Sequence, residues 1–253
     1  MGRDTRRYNL QFRPEFSRLH RDRDLRWVVP LSVRYVVAVT GERFAGKSAT
    51  LAYMAERKGF EVYSLATTLR DIAVSIGIPL EPRYRLQDLG DELRAYFDDP
   101  AYLARLTLRR IHREHLHQRG SVEPLRRIGV GGFKREEELQ LFQSLERFEH
   151  LQVEADRQLR FERARESEVM KRELAHLDPQ PEFDLDTFER EIERRDLGGK
   201  ETPWTEGYGQ AVEGLLSSAE AKPIPNESSL AQLYDCLDRE VGALDKRFRA
   251  FSG

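Results

Sequence analysis

The chain has one cysteine, Cys236, in 253 residues. A lone thiol excludes an internal disulfide and suits a reducing compartment, and its ordinary role is a small packed residue rather than a nucleophile. Long apolar runs are missing as well: none approaches the about 20 residues that span a bilayer. The first residues lack the apolar core of a secretory signal. A cytoplasmic protein outside the membrane is therefore expected. No sign of charge dominates. With Lys+Arg 42 against Asp+Glu 44, the formal net charge is −2, so no overall field draws in nucleic acid. There is no internal repeat, low-complexity tract, zinc-type spacing, nucleophile elbow or dinucleotide fingerprint. His112, His115 and His117 share one segment without a matching cysteine or acidic set, and do not read as a metal site.

What is present is charge of both signs and enough length for a core. Charged residues make up 34% and hydrophobic ones 39%, which predicts a surface dense in ion pairs. One α/β domain with additions fits this length.

The strongest signal is Gly41-Glu42-Arg43-Phe44-Ala45-Gly46-Lys47-Ser48, a full match to G-x-x-x-x-G-K-[ST]. The preceding Tyr35-Val36-Val37-Ala38-Val39-Thr40 is apolar and β-branched, as a strand buried on both faces should be. The following Ala49 to Lys58 lacks Gly and Pro and reads as a helix. Strand, loop and helix together are the context in which this motif cradles phosphate. Backbone amides of the loop and helix start face the anion. Candidate nucleotide contacts are Gly41, Arg43, Ala45, Gly46, Lys47, Ser48 and Ala49. Lys47 reaches the terminal phosphates, and the Ser48 hydroxyl is a candidate Mg²⁺ ligand. ATP and Mg²⁺ are the implied cofactors.

The rest of the chain alternates strands and helices, which predicts a mainly parallel sheet with helices on both faces. Residues 1–32 form an Arg-rich extension with interspersed aromatics; it reads as a segment packed on the domain or binding a protein partner, with a nucleic-acid arm as the sharper alternative. Residues 33–253 form the main domain. Gly59 and Phe60 are expected to end the helix after the loop, and residues 61–65 to form a second strand. Helices are expected over 67–76, 86–97 and 100–118. A strand follows at Ile128-Gly129-Val130, then a helix at 135–144 and a strand at 150–155. A long charged helix is expected over 157–174, with a shorter one near 188–195. A last strand and turn at 221–226 precede a final helix, capped by Ser228 or Ser229 and running to about Phe248.

Five pieces in this order resemble nucleoside-monophosphate kinase-like proteins, especially dephospho-CoA kinases and deoxynucleoside-monophosphate kinases. They are Val39 through Ser48, Glu61 through Arg70, Leu86 through Arg94, Val153-Glu154-Ala155 with Arg160 to Arg163, and Lys222 through Asn226 with Leu230 to Leu233. Together they span residues 35 to about 245. The resemblance implies a P-loop three-layer α/β sandwich with a helical lid at about 157–208, and transfer of the ATP γ-phosphoryl group to a small phosphorylated or hydroxyl acceptor. It casts Lys47, Arg160 and Arg163 as catalytic residues, the two arginines three apart on one lid-helix face. Pro225 and Asn226 fall near the adenine, and Ser64, Thr67, Arg70, Asp88, Arg94 and Lys134 on the acceptor side.

The resemblance breaks at two places: the acceptor-side strand lacks the aspartate typical of dephospho-CoA kinases and offers Ser64, Thr67 and Thr68 instead, and the third strand ends differently. An acidic residue is expected at the end of the third strand, followed by glycine, an apolar residue and arginine. Here Gly131 stands at the acidic position and Lys134 at the arginine. Losing a carboxylate weakens metal positioning more than phosphate binding, unless another acid such as Glu123 or Asp88 substitutes. Three readings therefore stand: a small-molecule or nucleotide kinase, a degenerate nucleotide-binding module that regulates or scaffolds a partner, and a P-loop ATPase acting with nucleic acid.

Overall fold

The apolar run before the glycine loop becomes the central strand because both of its faces are covered. In the computed structural model, which describes residues 33–80, 84–116, 126–167, 184–186 and 220–249, strand β1 (Val33–Gly41) is buried over most of its length. Val36 and Ala38 face one apolar cluster; Tyr35, Val37 and Val39 face another. The elements that follow are α1 (Lys47–Lys58), β2 (Phe60–Ser64), α2 (Leu65–Ser75), α3 (Tyr84–Phe97), α4 (Tyr102–Leu116), β3 (Arg126–Gly131), α5 (Glu136–Gln143), β4 (Phe148–Glu154), α6 (Arg157–Glu166), β5 (Lys222–Pro225) and α7 (Leu230–Arg247).

The five strands form one sheet in the order β2-β3-β1-β4-β5, and every pairing is parallel. Helices α2 to α5 cover the first cluster, while α1 and α7 cover the second. The three-layer α/β architecture expected from the sequence is the one observed. Helix α7 is anchored from its far end. Asp245 takes two hydrogen bonds from Arg127, at 2.9 and 2.7 Å, and one from the Tyr35 hydroxyl at 3.0 Å. Cys236 is buried in this helix, in the ordinary packed role.

Several boundaries move. Phe60 does not end α1; Gly59, at φ 67, terminates that helix in the left-handed region, and Phe60 opens β2 as a buried core residue. Strand β3 runs longer than the three residues expected, because Arg126 to Gly131 pair with β1 and Arg127 to Gly131 with β2 as well. Helix α6 stops at Glu166, where Ser167 turns extended, short of the helix to 174 that its charge pattern suggested. The extension 1–32, Glu123, the segment near 188–195 and all of the expected lid except 157–167 and 184–186 lie outside the described residues. Among the described residues no helix is long and apolar enough to cross a membrane.

Parallel order places all C-terminal strand ends on one edge. At that edge β1 sends α1 to one face, while β3 beside it sends α5 to the other. A crevice opens at such a divergence, and ligands of open α/β sheets bind there.

Candidate phosphate-binding site

The glycine loop occupies the C-terminal end of β1 and turns directly into α1. Two glycines are required by space and conformation. Gly41 has φ +137, and a side chain there would lie 2.2 Å from the Val153 carbonyl oxygen; Gly46 has φ +113, and a side chain there would lie 2.2 Å from Asn226 Nδ2. Phe44 is the exception, a non-glycine at φ 61. Such a conformation costs on the order of 1–3 kcal/mol and persists only where the surroundings hold it. The Arg43 guanidinium lies 5.3 Å from the Phe44 ring centre.

Lys47 folds back over its own loop. Its Nζ donates to the Gly41 carbonyl at 2.7 Å and to the Glu42 carbonyl at 2.5 Å. Thr50 N–H donates to the Gly46 carbonyl at 3.0 Å, so the amides of Ser48 and Ala49 precede the first intrahelical bond and have no acceptor within the helix. The Ser48 side chain is exposed at this end of α1, while Ala49 packs against the core. The macrodipole of α1 adds positive potential at the same point.

Helix α6 brings two arginines to the loop, and they do different things. Arg160 is 8% exposed. Its Nη2 meets Glu42 Oε2 at 3.1 Å, and among the described residues its Nε and Nη1 have no hydrogen-bond partner. Two buried guanidinium donors without acceptors are costly unless something anionic arrives. Arg163 is instead engaged through both terminal nitrogens. Its Nη1 donates to the Phe44 and Ala45 carbonyls at 3.2 and 3.3 Å, and its Nη2 to the Asn226 carbonyl and Oδ1 at 3.1 and 3.2 Å. Burial lowers its pKa. The two arginines share one helix face, as expected, and of the pair Arg160 is the one with buried guanidinium nitrogens that lack a partner among the described residues.

Asn226 follows the exposed Pro225 at the end of β5 and is 3% exposed. Its backbone N–H donates to Glu154 O at 2.7 Å, and its side-chain Nδ2 donates to Ala45 O at 2.6 Å. The side chain is thus committed to the glycine loop.

The residues expected on the acceptor side are spread over three elements. Ser64 ends β2 and pairs with Gly131 at the end of β3. Thr67 and Arg70 are exposed on α2, and Asp88 is half-buried on α3. Lys134 lies in the loop after β3, with its backbone N–H donating to Glu138 Oε2 at 2.8 Å. Arg94 is not available to an acceptor. Its Nη2 meets Glu138 Oε1 at 2.6 Å and its Nη1 meets Asp91 Oδ1 at 3.1 Å, with the Arg94 and Glu138 side chains 5% and 0% exposed. Arg135 approaches the same Asp91 at 3.7 Å. Burial pushes the Asp91 carboxyl up to about 6, against the lowering effect of Arg94 and Arg135.

The donor set matches a polyphosphate better than a metal. The orphaned Arg160 nitrogens, Lys47 and the helix start all suit an anion. For Mg²⁺ the described chain offers the Ser48 hydroxyl, while Gly131 presents no oxygen ligand from its side. Among the described residues no group of three or more His, Cys, Asp or Glu is arranged to hold a metal. His115 Nε2 lies 3.1 Å from Glu61 Oε2, within a cluster that includes Tyr63.

Sequence reasoning missed Glu42 as a partner of Arg160, the Arg94–Glu138–Asp91 cluster, and a buried pair between Thr40 Oγ1 and His150 Nε2 at 2.6 Å. The spacing of Glu138 three residues into α5 was a readable signal: its carboxylate reaches back to the Arg135 N–H at 3.3 Å, as in half of a capping box.

No known family profile matches the chain, and no curated protein does. Solved structures that align with the chain include a gluconokinase from Sinorhizobium meliloti 1021, at 15% identity over 85% of this chain and 97% of that one, TM-score 0.39. A shikimate kinase from Acinetobacter baumannii in complex with shikimate aligns at 12% identity over 84% and 94%, TM-score 0.45. A shikimate kinase from Bacteroides thetaiotaomicron aligns at 14% identity over 83% and 98%, TM-score 0.42.

Proposed function

We propose that the protein binds a nucleoside triphosphate, ATP in the first instance, on the Gly41–Ser48 loop and transfers its γ-phosphoryl group to a small hydroxyl or phosphorylated acceptor. One observation carries this reading: the buried Arg160 nitrogens without partners, Nε and Nη1, beside a full phosphate-loop motif. Such transfer needs positioning and charge neutralisation more than covalent chemistry. Loop amides and the start of α1 hold the β- and γ-phosphates. Lys47 leaves its two carbonyl acceptors and turns to the terminal phosphates. The Ser48 hydroxyl would hold Mg²⁺, which would supply positive charge against that of the phosphates. Arg160 exchanges the Glu42 carboxylate for charge that develops on the moving phosphoryl group. The acceptor enters from the side of Ser64, Thr67, Arg70 and Asp88, along the edge that also carries the ends of β2 and β3.

A second reading has its own observation. Gly131 leaves the end of β3 without a carboxylate, which supports a module that binds nucleotide and transfers slowly, in a regulatory or scaffolding role. One experiment separates the two. The protein is incubated with ATP, Mg²⁺ and a panel of nucleoside monophosphates and dephospho-CoA, and ADP is measured. Acceptor-dependent ADP supports the kinase. Nucleotide binding without ADP supports the module, and absence of nucleotide binding removes both.

A further inference from the structure

Arg163 and Asn226 meet the glycine loop on the side where its carbonyls point. Three hydrogen bonds from two donor groups converge there on two consecutive carbonyls: Arg163 Nη1 on Phe44 O and Ala45 O, and Asn226 Nδ2 on Ala45 O at 2.6 Å. Arg163 Nη2 closes the arrangement on Asn226 itself, through both its carbonyl and its Oδ1. Phe44 is the residue held in the left-handed region, so the bonds fall where the loop is most strained.

A trans peptide sets its C=O and N–H in opposite directions. Fixing the Ala45 carbonyl toward Arg163 and Asn226 therefore fixes the Gly46 N–H on the opposite side of the chain. Among the described residues no acceptor takes that N–H. Engaging the carbonyl also polarises the peptide and strengthens its N–H as a donor. Gly46 has to be glycine for the same reason, since any Cβ would occupy the position of Asn226 Nδ2.

We propose that Arg163 and Asn226 form a strap across the back of the glycine loop that aims the Gly46 amide at the bound phosphate, which makes Arg163 a positioning residue and not a lid arginine. The inference deepens the nucleotide-binding reading and rests on it for the identity of the anion. It assigns separate work to two arginines one helical turn apart: Arg160 offers charge from the front of the loop, and Arg163 sets the loop's shape from behind. It also gives the Asn226 side chain a role in holding the loop, with Nδ2 donating to Ala45 O and Oδ1 accepting from Arg163.

The test uses the full chain and two probes, ADP and inorganic pyrophosphate, titrated by calorimetry into wild type, Arg163→Ala, Arg163→Lys and Asn226→Ala. The backbone amide resonance of Gly46 is followed in labelled protein without ligand. The strap predicts that Arg163→Ala weakens both probes by the same factor, on the order of tenfold for a lost charged hydrogen-bond set. It predicts partial recovery with Lys, and a combined Arg163→Ala/Asn226→Ala loss smaller than the product of the single losses. It predicts that the Gly46 resonance shifts in either single variant. Weakening of ADP without weakening of pyrophosphate overturns it and moves Arg163 to the nucleoside. An unmoved Gly46 resonance overturns it as well. If Arg163→Ala does not fold, Arg163→Lys and Asn226→Ala carry the same two readings. If wild type binds neither probe, the nucleotide reading fails, while the Gly46 resonance still decides whether the strap exists.

Discussion

Arg94 and Glu138 meet at 2.6 Å inside the protein, 44 residues apart in sequence. Arg94 also donates through Nε to Glu138 Oε1 at 3.2 Å. The other oxygen of Glu138 accepts the backbone N–H groups of Lys134 and Arg135. One buried carboxylate thus ties α3 to the loop after β3, on the edge where the site opens.

Breaking this pair from one side leaves an uncompensated buried charge. Glu138→Ala is expected to lower stability by about 3–5 kcal/mol, with two backbone donors losing their acceptor in addition. Replacing both partners, as in Arg94→Met with Glu138→Gln, is expected to cost clearly less. Chemical denaturation of the three proteins checks this; a double variant as unstable as Glu138→Ala would count against the pair as a coupled unit.

How much of this was readable from the chain differs by element. The strand, loop and helix around Gly41–Ser48 were plain, because a β-branched run buried on both faces and a fixed glycine spacing are local properties. The end of α6 was not. Its residues carry charge almost continuously and show no apolar stripe, so nothing local marks Ser167 as the stop; what holds the helix is the burial of Arg160 and Ala164. Phe60 was misplaced because an apolar residue after a glycine suits a helix end and a strand start equally. Arg160 and Arg163 were both visible as basic residues on one face, but their division of labour depends on Asn226, 63 positions beyond Arg163. The commitment of Arg94 to Glu138 is likewise a contact between distant segments, invisible to helix periodicity.

Lys47 is expected to be required for stabilisation by nucleotide. At a ligand concentration 100 times the dissociation constant, binding contributes about 2.7 kcal/mol. The thermal midpoint of wild type should rise with ATP or ADP, and that of Lys47→Ala should rise little. Equal shifts in the two proteins would remove the site from this loop.

Arg160→Ala is expected to lower kcat by about 10²–10³-fold while changing nucleotide affinity little, as for a donor that acts on developing charge. Glu42, with its side chain 44% exposed, returns to water in this variant, so no carboxylate is left buried without its partner. A loss confined to KM would give Arg160 a ground-state role.

Burial lowers the His150 imidazole to about 4 from an ordinary 6.5. The residue is 2% exposed, and among the described residues its Nδ1 has no hydrogen-bond partner. The folded protein therefore holds His150 neutral while the unfolded chain takes up a proton below pH 6.5. Its contribution is intact above that pH, declines as pH falls toward 4, and amounts to a loss on the order of 2–3 kcal/mol. Asp91, raised to about 6 from 3.8, works in the opposite sense over part of that window, since the folded protein then binds the extra proton. The diagnostic quantity is the difference between wild type and His150→Gln in stability from pH 7 to pH 4. A difference that stays flat would mean that the ring protonates in the folded state.

Gly131 is expected to make phosphoryl transfer slow. A carboxylate at this strand end would order the waters around Mg²⁺ and so align the γ-phosphate; without it, alignment suffers more than attraction. The structure adds a steric condition to the repair. A Cβ at Gly131 would lie 2.6 Å from Leu51 Cδ1, the end of a flexible side chain on the half-buried side of α1. Gly131→Asp alone must push Leu51 aside, so the informative protein is Gly131→Asp in a Leu51→Ala background, compared with Leu51→Ala. Acceptor-dependent ADP formation should rise in the double variant with little change in ADP affinity, because the loop amides and Lys47 supply the attraction in both. If wild type already turns over at about 1–100 s⁻¹ and the added carboxylate brings no gain, the metal is held by other residues and the active-kinase reading stands without Gly131 as its weak point.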